Sequence, residues 1–141
     1  MRDSRLYGIG FAHIALRVSD FDRSLSFYTE GLGFRLSHMW DNNGNPAALI
    51  DFGNGFLELF GGAQKGEISS CAGSLPHFAF ASEDVKKTFE IALSAGATPK
   101  REPVDLLLPC TPPLPITVAF VYGPDGETIE FFAFRGGMAD E

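Results

Sequence analysis

Four side chains in this sequence stand where the surrounding pattern argues against them. Glu58 sits in the middle of Phe56-Leu57-Glu58-Leu59-Phe60, and Glu130 inside Ile129-Glu130-Phe131-Phe132. Carboxylates are seldom buried unless something compensates their charge, because desolvation is costly. His13 and His77 interrupt apolar strings in the same way, in Phe11-Ala12-His13-Ile14-Ala15 and Pro76-His77-Phe78-Ala79. Two imidazoles and two carboxylates make a mixed nitrogen–oxygen donor set. It suits a borderline or harder divalent ion: Ni, Zn, Co, Mn or Fe. Each residue alone has an ordinary alternative, a hydrogen-bonded core histidine or a glutamate paired with Arg17 or Arg35. The joint pattern favours the metal. The chain has three His, and two of them occupy equivalent places in a repeat.

That repeat sets the architecture. His77 follows His13 by 64 residues, and the same offset carries Ala15 to Ala79, Asp20 to Asp84 and Leu25 to Phe89. Near the ends of the two copies the offset is 72, which carries Glu58 to Glu130. The second copy therefore holds an insertion, and the Pro-rich stretch 103–115 is its place.

In the first copy, an apolar strand over 11–18 leads to a helix. Ser19 or Asp20 caps it, Phe21, Leu25 and Tyr28 form one face, and Gly31 stops it. Strands over 33–40, 47–52 and 56–60 follow as a meander, joined by Asp41-Asn42-Asn43-Gly44-Asn45-Pro46 and Gly53-Asn54-Gly55. A Gly- and Ser-rich linker over 61–74 leads to the second copy. It has a strand over 75–81 and a helix opened by Ser82 or Glu83 and closed by Gly96. Val85, Phe89 and Leu93 share one face of that helix. An irregular stretch over 103–115 and strands over 116–122 and 128–134 complete it, and 135–141 forms a loose tail. The expectation is an α+β fold: two tandem βαβββ modules, about 9–61 and 75–134, in one domain over 1–141. Side chains alternate along a strand, so Glu58 shares its face with Phe56 and Phe60.

Composition narrows the function. A net charge of −7 and a pI near 4.9 exclude nucleic acid as a partner, since phosphates call for clustered Lys and Arg. No run approaches the roughly 18 apolar residues of a membrane span. The opening residues have no apolar core of a secretory signal, so the expected location is cytoplasmic. Cys71 and Cys110 lie in no CxxC pair and read as free thiols rather than a disulfide. Fourteen Phe imply an aromatic-rich core or a partly apolar cavity. Trp40, Phe52, Phe56, Phe120 and Phe132 are assigned to that core, and His38 to a structural role.

The motifs resemble the vicinal oxygen chelate superfamily of glyoxalases, bleomycin-resistance proteins and extradiol dioxygenases. The resemblance covers nearly the whole chain. It is carried by His13-Ile14-Ala15-Leu16-Arg17-Val18-Ser19-Asp20, Ser24-Leu25-Ser26-Phe27-Tyr28, Gly31-Leu32-Gly33-Phe34, Phe56-Leu57-Glu58-Leu59, His77-Phe78-Ala79-Phe80 and the run from Ala119 through Gly123-Pro124-Asp125-Gly126 to Glu130. It implies a half-barrel fold and a homodimer whose sites combine modules from both chains. The ligand order His13, Glu58, His77, Glu130 is most similar to glyoxalase I (lactoylglutathione lyase). That implies a metal-dependent lyase or isomerase acting on a small oxo compound or its glutathione hemithioacetal. By the same resemblance Glu130 is the general base, Glu58 its counterpart, and Arg17 a contact for the glutathione γ-glutamyl carboxylate. The alternatives are a thiol transferase or extradiol-type dioxygenase, which typically carry His at the place of Glu58, and a small-molecule (drug) sequestering binding protein. The chain departs from the glyoxalase pattern at Phe60-Gly61-Gly62. It departs again at 106–115, an apolar Pro-rich lid without Lys or Arg, which points to a greasier substrate.

Overall fold

In the computed structural model, which describes residues 10–64 and 75–135, the repeat folds as two open four-stranded sheets. The first contains β1 (His13–Arg17), β2 (Arg35–Asn42), β3 (Asn45–Asp51) and β4 (Phe56–Phe60), in the order β1-β4-β3-β2. The second contains β5 (Phe78–Ala81), β6 (Thr98–Leu108), β7 (Leu114–Tyr122) and β8 (Thr128–Phe134), in the order β5-β8-β7-β6. In both, the first strand runs parallel to the last and the other pairs are antiparallel. The registers match too: Ala15 lies opposite Glu58, and Ala79 opposite Glu130. The βαβββ expectation holds, and among the described residues the strands close no barrel. No helix there is long and apolar enough to cross a membrane.

Parallel pairing needs a crossover, supplied by helices α1 (Phe21–Ser26) and α2 (Val85–Ser94). The carboxylates of Asp20 and Asp84 cap them, accepting from the N–H of Arg23 at 3.2 Å and of Lys87 at 3.1 Å. Asp84, rather than Ser82 or Glu83, holds the second cap because its oxygen reaches the amide three residues on. The Ser82 hydroxyl instead accepts from Asp84 N–H at 3.2 Å and bonds the Thr88 hydroxyl at 2.6 Å. Gly31 is the last residue of the helical segment, as expected, but the last turn is not α-helical. The α-helix ends at Ser26 and continues as a π-helical turn, Phe27–Gly31. Gly31 matters for another reason: a Cβ there would lie 2.5 Å from Ala95 Cβ. This turn and the end of α2 can approach so closely only without a side chain at 31.

The Pro-rich stretch is not irregular and is not a lid. Residues through Leu108 belong to β6, and β7 begins at Leu114, with a cis Thr111–Pro112 bond in the connection. Leu108 pairs with Leu114, so this is a long hairpin. Proline breaks central strands because it cannot donate to the ladder. Here Pro99 and Pro103 lie in the edge strand, and the register shifts between Pro99 and Arg101 and again between Arg101 and Val104. The insertion is thus absorbed as extra strand length and two irregularities. The linker beyond Gln64, Cys71 and the tail after Arg135 lie outside the described residues.

The modules share one core. Leu57, Leu59 and Ile50 from the first sheet, Val121, Ile129 and Phe131 from the second, and Phe21, Tyr28 and Phe89 from the helical segments all belong to it. Phe52 also packs there, its ring centroid 5.1 Å from that of Phe80. Polar bonds cross the same junction. Ser19 N–H and hydroxyl both donate to Asp125, and the Tyr28 hydroxyl donates to Glu127 at 2.6 Å. Since the shared core takes one face of each sheet, the alternate residues emerge on the opposite, outer faces.

Candidate metal centre

The outer faces carry the four residues that the sequence singles out. In β1, Ile14 and Leu16 pack toward the core, which turns His13, Ala15 and Arg17 outward. In β4, Leu57 and Leu59 are fully buried, which turns Phe56, Glu58 and Phe60 outward. With Ala15 opposite Glu58, His13 stands one outward step away on the neighbouring strand. Its Nε2 lies 3.3 Å from Glu58 Oε1. The second module repeats this diagonal: His77 Nε2 lies 3.0 Å from Glu130 Oε1. Glu130 is the more enclosed carboxylate, 8% exposed.

Each pair presents one imidazole nitrogen and one carboxylate oxygen, the donors that suit a borderline divalent ion. Two donors bound to one ion at about 2.0–2.2 Å stand about 3 Å apart, which is the spacing both pairs show. The four residues are brought together as two pairs. Among the described residues no three His, Cys, Asp or Glu side chains form one group able to hold a metal ion. The reason is topological, since each pair lies on the outer face of a different sheet.

The flanking residues differ from expectation. Trp40 is not core: it is 39% exposed and meets the Phe60 ring edge-on, with centroids 6.3 Å apart. Phe56, Phe120 and Phe132 are half-buried on the outer faces and lie outside the core cluster, which claims Phe52 alone of the five. Phe120, assigned to the core from its sequence, instead stands beside the second His–Glu pair. It pairs with Glu130 in register and receives the His77 ring edge-on at 5.4 Å. Its position one strand from a buried glutamate was the available signal. His38 is exposed on β2, with Nδ1 2.7 Å from the Ser37 hydroxyl. Arg17 takes the outer face of β1, level with Phe60. Cys110 is a free, exposed thiol. Two concave hollows beside α1 are both lined by Arg23 and Pro124. The His–Glu pairs sit on open sheet faces, which are sites only when something covers them.

A family model described as the glyoxalase/bleomycin resistance protein/dioxygenase superfamily matches residues 10–131. A lactoylglutathione lyase of Arabidopsis thaliana is 33% identical over 128 residues, covering 85% of this chain and 42% of the relative. The chain thus spans less than half the length of that plant protein. A lactoylglutathione lyase of Haemophilus influenzae is 32% identical, covering 84% of this chain and 88% of the relative. The crystal structure of glyoxalase I from Zea mays superposes with a TM-score of 0.68 at 28% identity, covering 86% of this chain and 43% of that one.

Proposed function

The chain belongs to the glyoxalase/bleomycin resistance protein/dioxygenase superfamily, and from that premise we propose that it is a metal-dependent lyase of the lactoylglutathione lyase type. One observation carries the reading. Two His–Glu pairs, His13–Glu58 and His77–Glu130, recur with the same spacing and register on the two modules. A structural ion pair would not need to be duplicated at both repeat positions. The names of the Arabidopsis and Haemophilus relatives support the same activity.

Each chain offers two half-sites on separate faces, so a complete four-ligand site is one shared between two copies. The proposed assembly is a homodimer with His13 and Glu58 from one chain and His77 and Glu130 from the other. The ion, one of Ni, Zn, Co, Mn or Fe, would supply Lewis acidity to two neighbouring substrate oxygens. His13 and His77 would hold the ion through their imidazole nitrogens. Glu130 takes the proton from the carbon next to the substrate carbonyl and returns it to the neighbouring carbon. Its enclosure beside Phe120 keeps water from that proton. Glu58 is its counterpart in the first module. Arg17, on the same face, binds an anionic end of the substrate, such as a glutathione carboxylate. The proposed location is cytoplasmic. A carboxylate at 58, where a thiol transferase or extradiol dioxygenase typically carries His, puts those readings second.

The test is to strip metal, restore Ni, Co, Mn, Fe(II) or Zn singly, and follow S-lactoylglutathione from methylglyoxal and glutathione. Metal-dependent turnover lost in Glu130→Ala is the expected result. Stoichiometric metal binding without turnover under any ion would retain the donor set and remove this reaction.

A further inference from the structure

Three places in the chain put a glycine directly after Asn or Asp: Asn43-Gly44, Asn54-Gly55 and Asp125-Gly126. Such pairs can modify themselves, because a glycine has no Cβ to shield its amide nitrogen. That nitrogen attacks the side-chain carbonyl carbon of the residue before it. At Asn the amide proton passes to solvent base, a C–N bond forms, and the side-chain nitrogen takes a proton and leaves as ammonia. The product is a cyclic succinimide. Water opens it at either carbonyl, leaving aspartate or isoaspartate. In net terms one water enters and one ammonia departs. A hydrogen bond from the attacking N–H opposes the first step, since it must be given up.

The fold treats the three glycines differently. Gly44 N–H donates to the Asp41 carboxylate at 3.1 Å, and an anion there resists loss of the proton. Asn43 and Gly44 have φ of 53° and 89°, as the central residues of a tight hairpin turn closed by the Asn42–Asn45 pair. Gly126 N–H donates to the Gly123 carbonyl at 2.9 Å. The Asp125 carboxylate is itself held, by Ser19 N–H at 3.0 Å and by the Ser19 hydroxyl. Gly55 has no such restraint. Its carbonyl accepts from Phe52 N–H at 3.1 Å, but among the described residues its own N–H donates to nothing. Asn54 is exposed and has a glycine on either side. The fold also demands the glycine that follows it. A Cβ at 55 would lie 2.9 Å from the Phe52 ring and 3.0 Å from the Phe11 ring.

We propose that Asn54-Gly55 is a site of spontaneous deamidation in the folded protein, and that the fold protects Asn43 and Asp125 from the same chemistry. The change falls in the turn that joins β3 to β4. Asp51 pairs with Phe56 across that turn, and Phe56 pairs with His13. Isoaspartate lengthens the main chain there by one methylene, and either product adds one negative charge. Neither metal nor substrate takes part, so the inference stands apart from the lyase reading.

The protein is aged in warm, mildly alkaline buffer, one sample folded and one in concentrated urea, until the urea sample has reacted. Peptides carrying each pair are followed by mass spectrometry. In the folded sample the Asn54 peptide is expected to exchange NH2 for OH about 10-fold faster than the Asn43 peptide, the rate equivalent of one charge-assisted hydrogen bond. In urea, where both turns are lost, the two rates are expected to agree within about 2-fold. Fragmentation is expected to find isoaspartate at 54 and not at 125 in the folded sample. Asn54→Gln is expected to stop the more acidic form from accumulating on ion exchange. Equal folded rates at 43 and 54 would overturn the proposal. So would an Asn54 peptide that stays intact while its urea counterpart reacts, or isoaspartate that arises at 125 as fast as at 54.

Discussion

Tyr28 of the first module donates its phenolic hydrogen to Glu127 of the second at 2.6 Å, from a side chain with no solvent exposure. The other oxygen of Glu127 accepts from Asp125 N–H at 2.8 Å, within the turn that leads into β8. A buried phenol thus ties the helical segment of one module to the turn that launches Glu130 in the other. Tyr28→Phe removes that tie while keeping the ring. The expected loss of stability is about 1.5–3 kcal/mol, the usual range for a bond to a charged partner. Urea unfolding of the two proteins measures it, and an unchanged midpoint would remove the tie from the stability account.

The same residue predicts behaviour in alkali. Burial, then the nearby Glu127 carboxylate, push the Tyr28 phenol well above its ordinary value of 10.0. The unfolded chain therefore loses this proton at a pH where the folded chain keeps it. Stability is whole below pH 10 and falls by about 1.4 kcal/mol per pH unit above it, until the folded phenol ionises. Urea midpoints from pH 9 to pH 11 should slope downward in the native protein, with a shallower slope in Tyr28→Phe.

Ser24 gives a prediction of opposite sign. Its hydroxyl is fully buried in α1 and has no hydrogen-bond partner, whereas the repeat-equivalent Thr88 bonds Ser82. A buried hydroxyl without a partner costs about 1–3 kcal/mol of desolvation. Ser24→Ala should therefore raise the unfolding midpoint, by about 1 kcal/mol after a small packing loss. A lower midpoint would mean that the hydroxyl is satisfied in solution.

A shared site can be tested by mixing defective chains. One carries His13→Ala and Glu58→Ala, the other His77→Ala and Glu130→Ala. Neither should retain metal tightly. When the two are unfolded together and refolded, half of the dimers would be mixed, each with one intact site. Metal-dependent turnover should return to roughly a quarter of the native value, as random pairing of a twofold assembly gives. No recovery in demonstrably mixed dimers would place all four ligands in one chain.

Much of this was legible in the sequence because the repeat records both modules. The strands Phe56–Phe60 and Thr128–Phe134 match the sequence reading to the residue, and alternation places Glu58 on one face with Phe56 and Phe60, whereas the division of the four residues into two His–Glu pairs appears only in the structure. The failures have physical causes. Ser82, Glu83 and Asp84 crowd one cap signal, and only the reach of the Asp84 carboxylate to Lys87 N–H decides among them. Proline breaks a central strand but not an edge one, and strand order is not written in the local sequence, so the composition of 103–108 suggests irregularity where the structure has an edge strand. Residue type alone assigns Trp40 to the core, whereas its strand lies at a sheet edge and leaves it 39% exposed. The division of His13, Glu58, His77 and Glu130 between two sheet faces is a tertiary property that local sequence does not encode.

The prolines of β6 have a consequence for solubility. An edge strand presents unused N–H and C=O groups to any passing chain, and a hairpin with Leu106, Leu107 and Leu108 at its far end is an inviting template for strand addition. Pro99 and Pro103 withhold two of the donors such a newcomer would need, and the two breaks in register around Arg101 bend the backbone away from a straight pairing line. The stretch that looks from its composition like a disruption of the sheet therefore acts as its selvedge, the finished border that keeps one molecule's strands from being woven into the next.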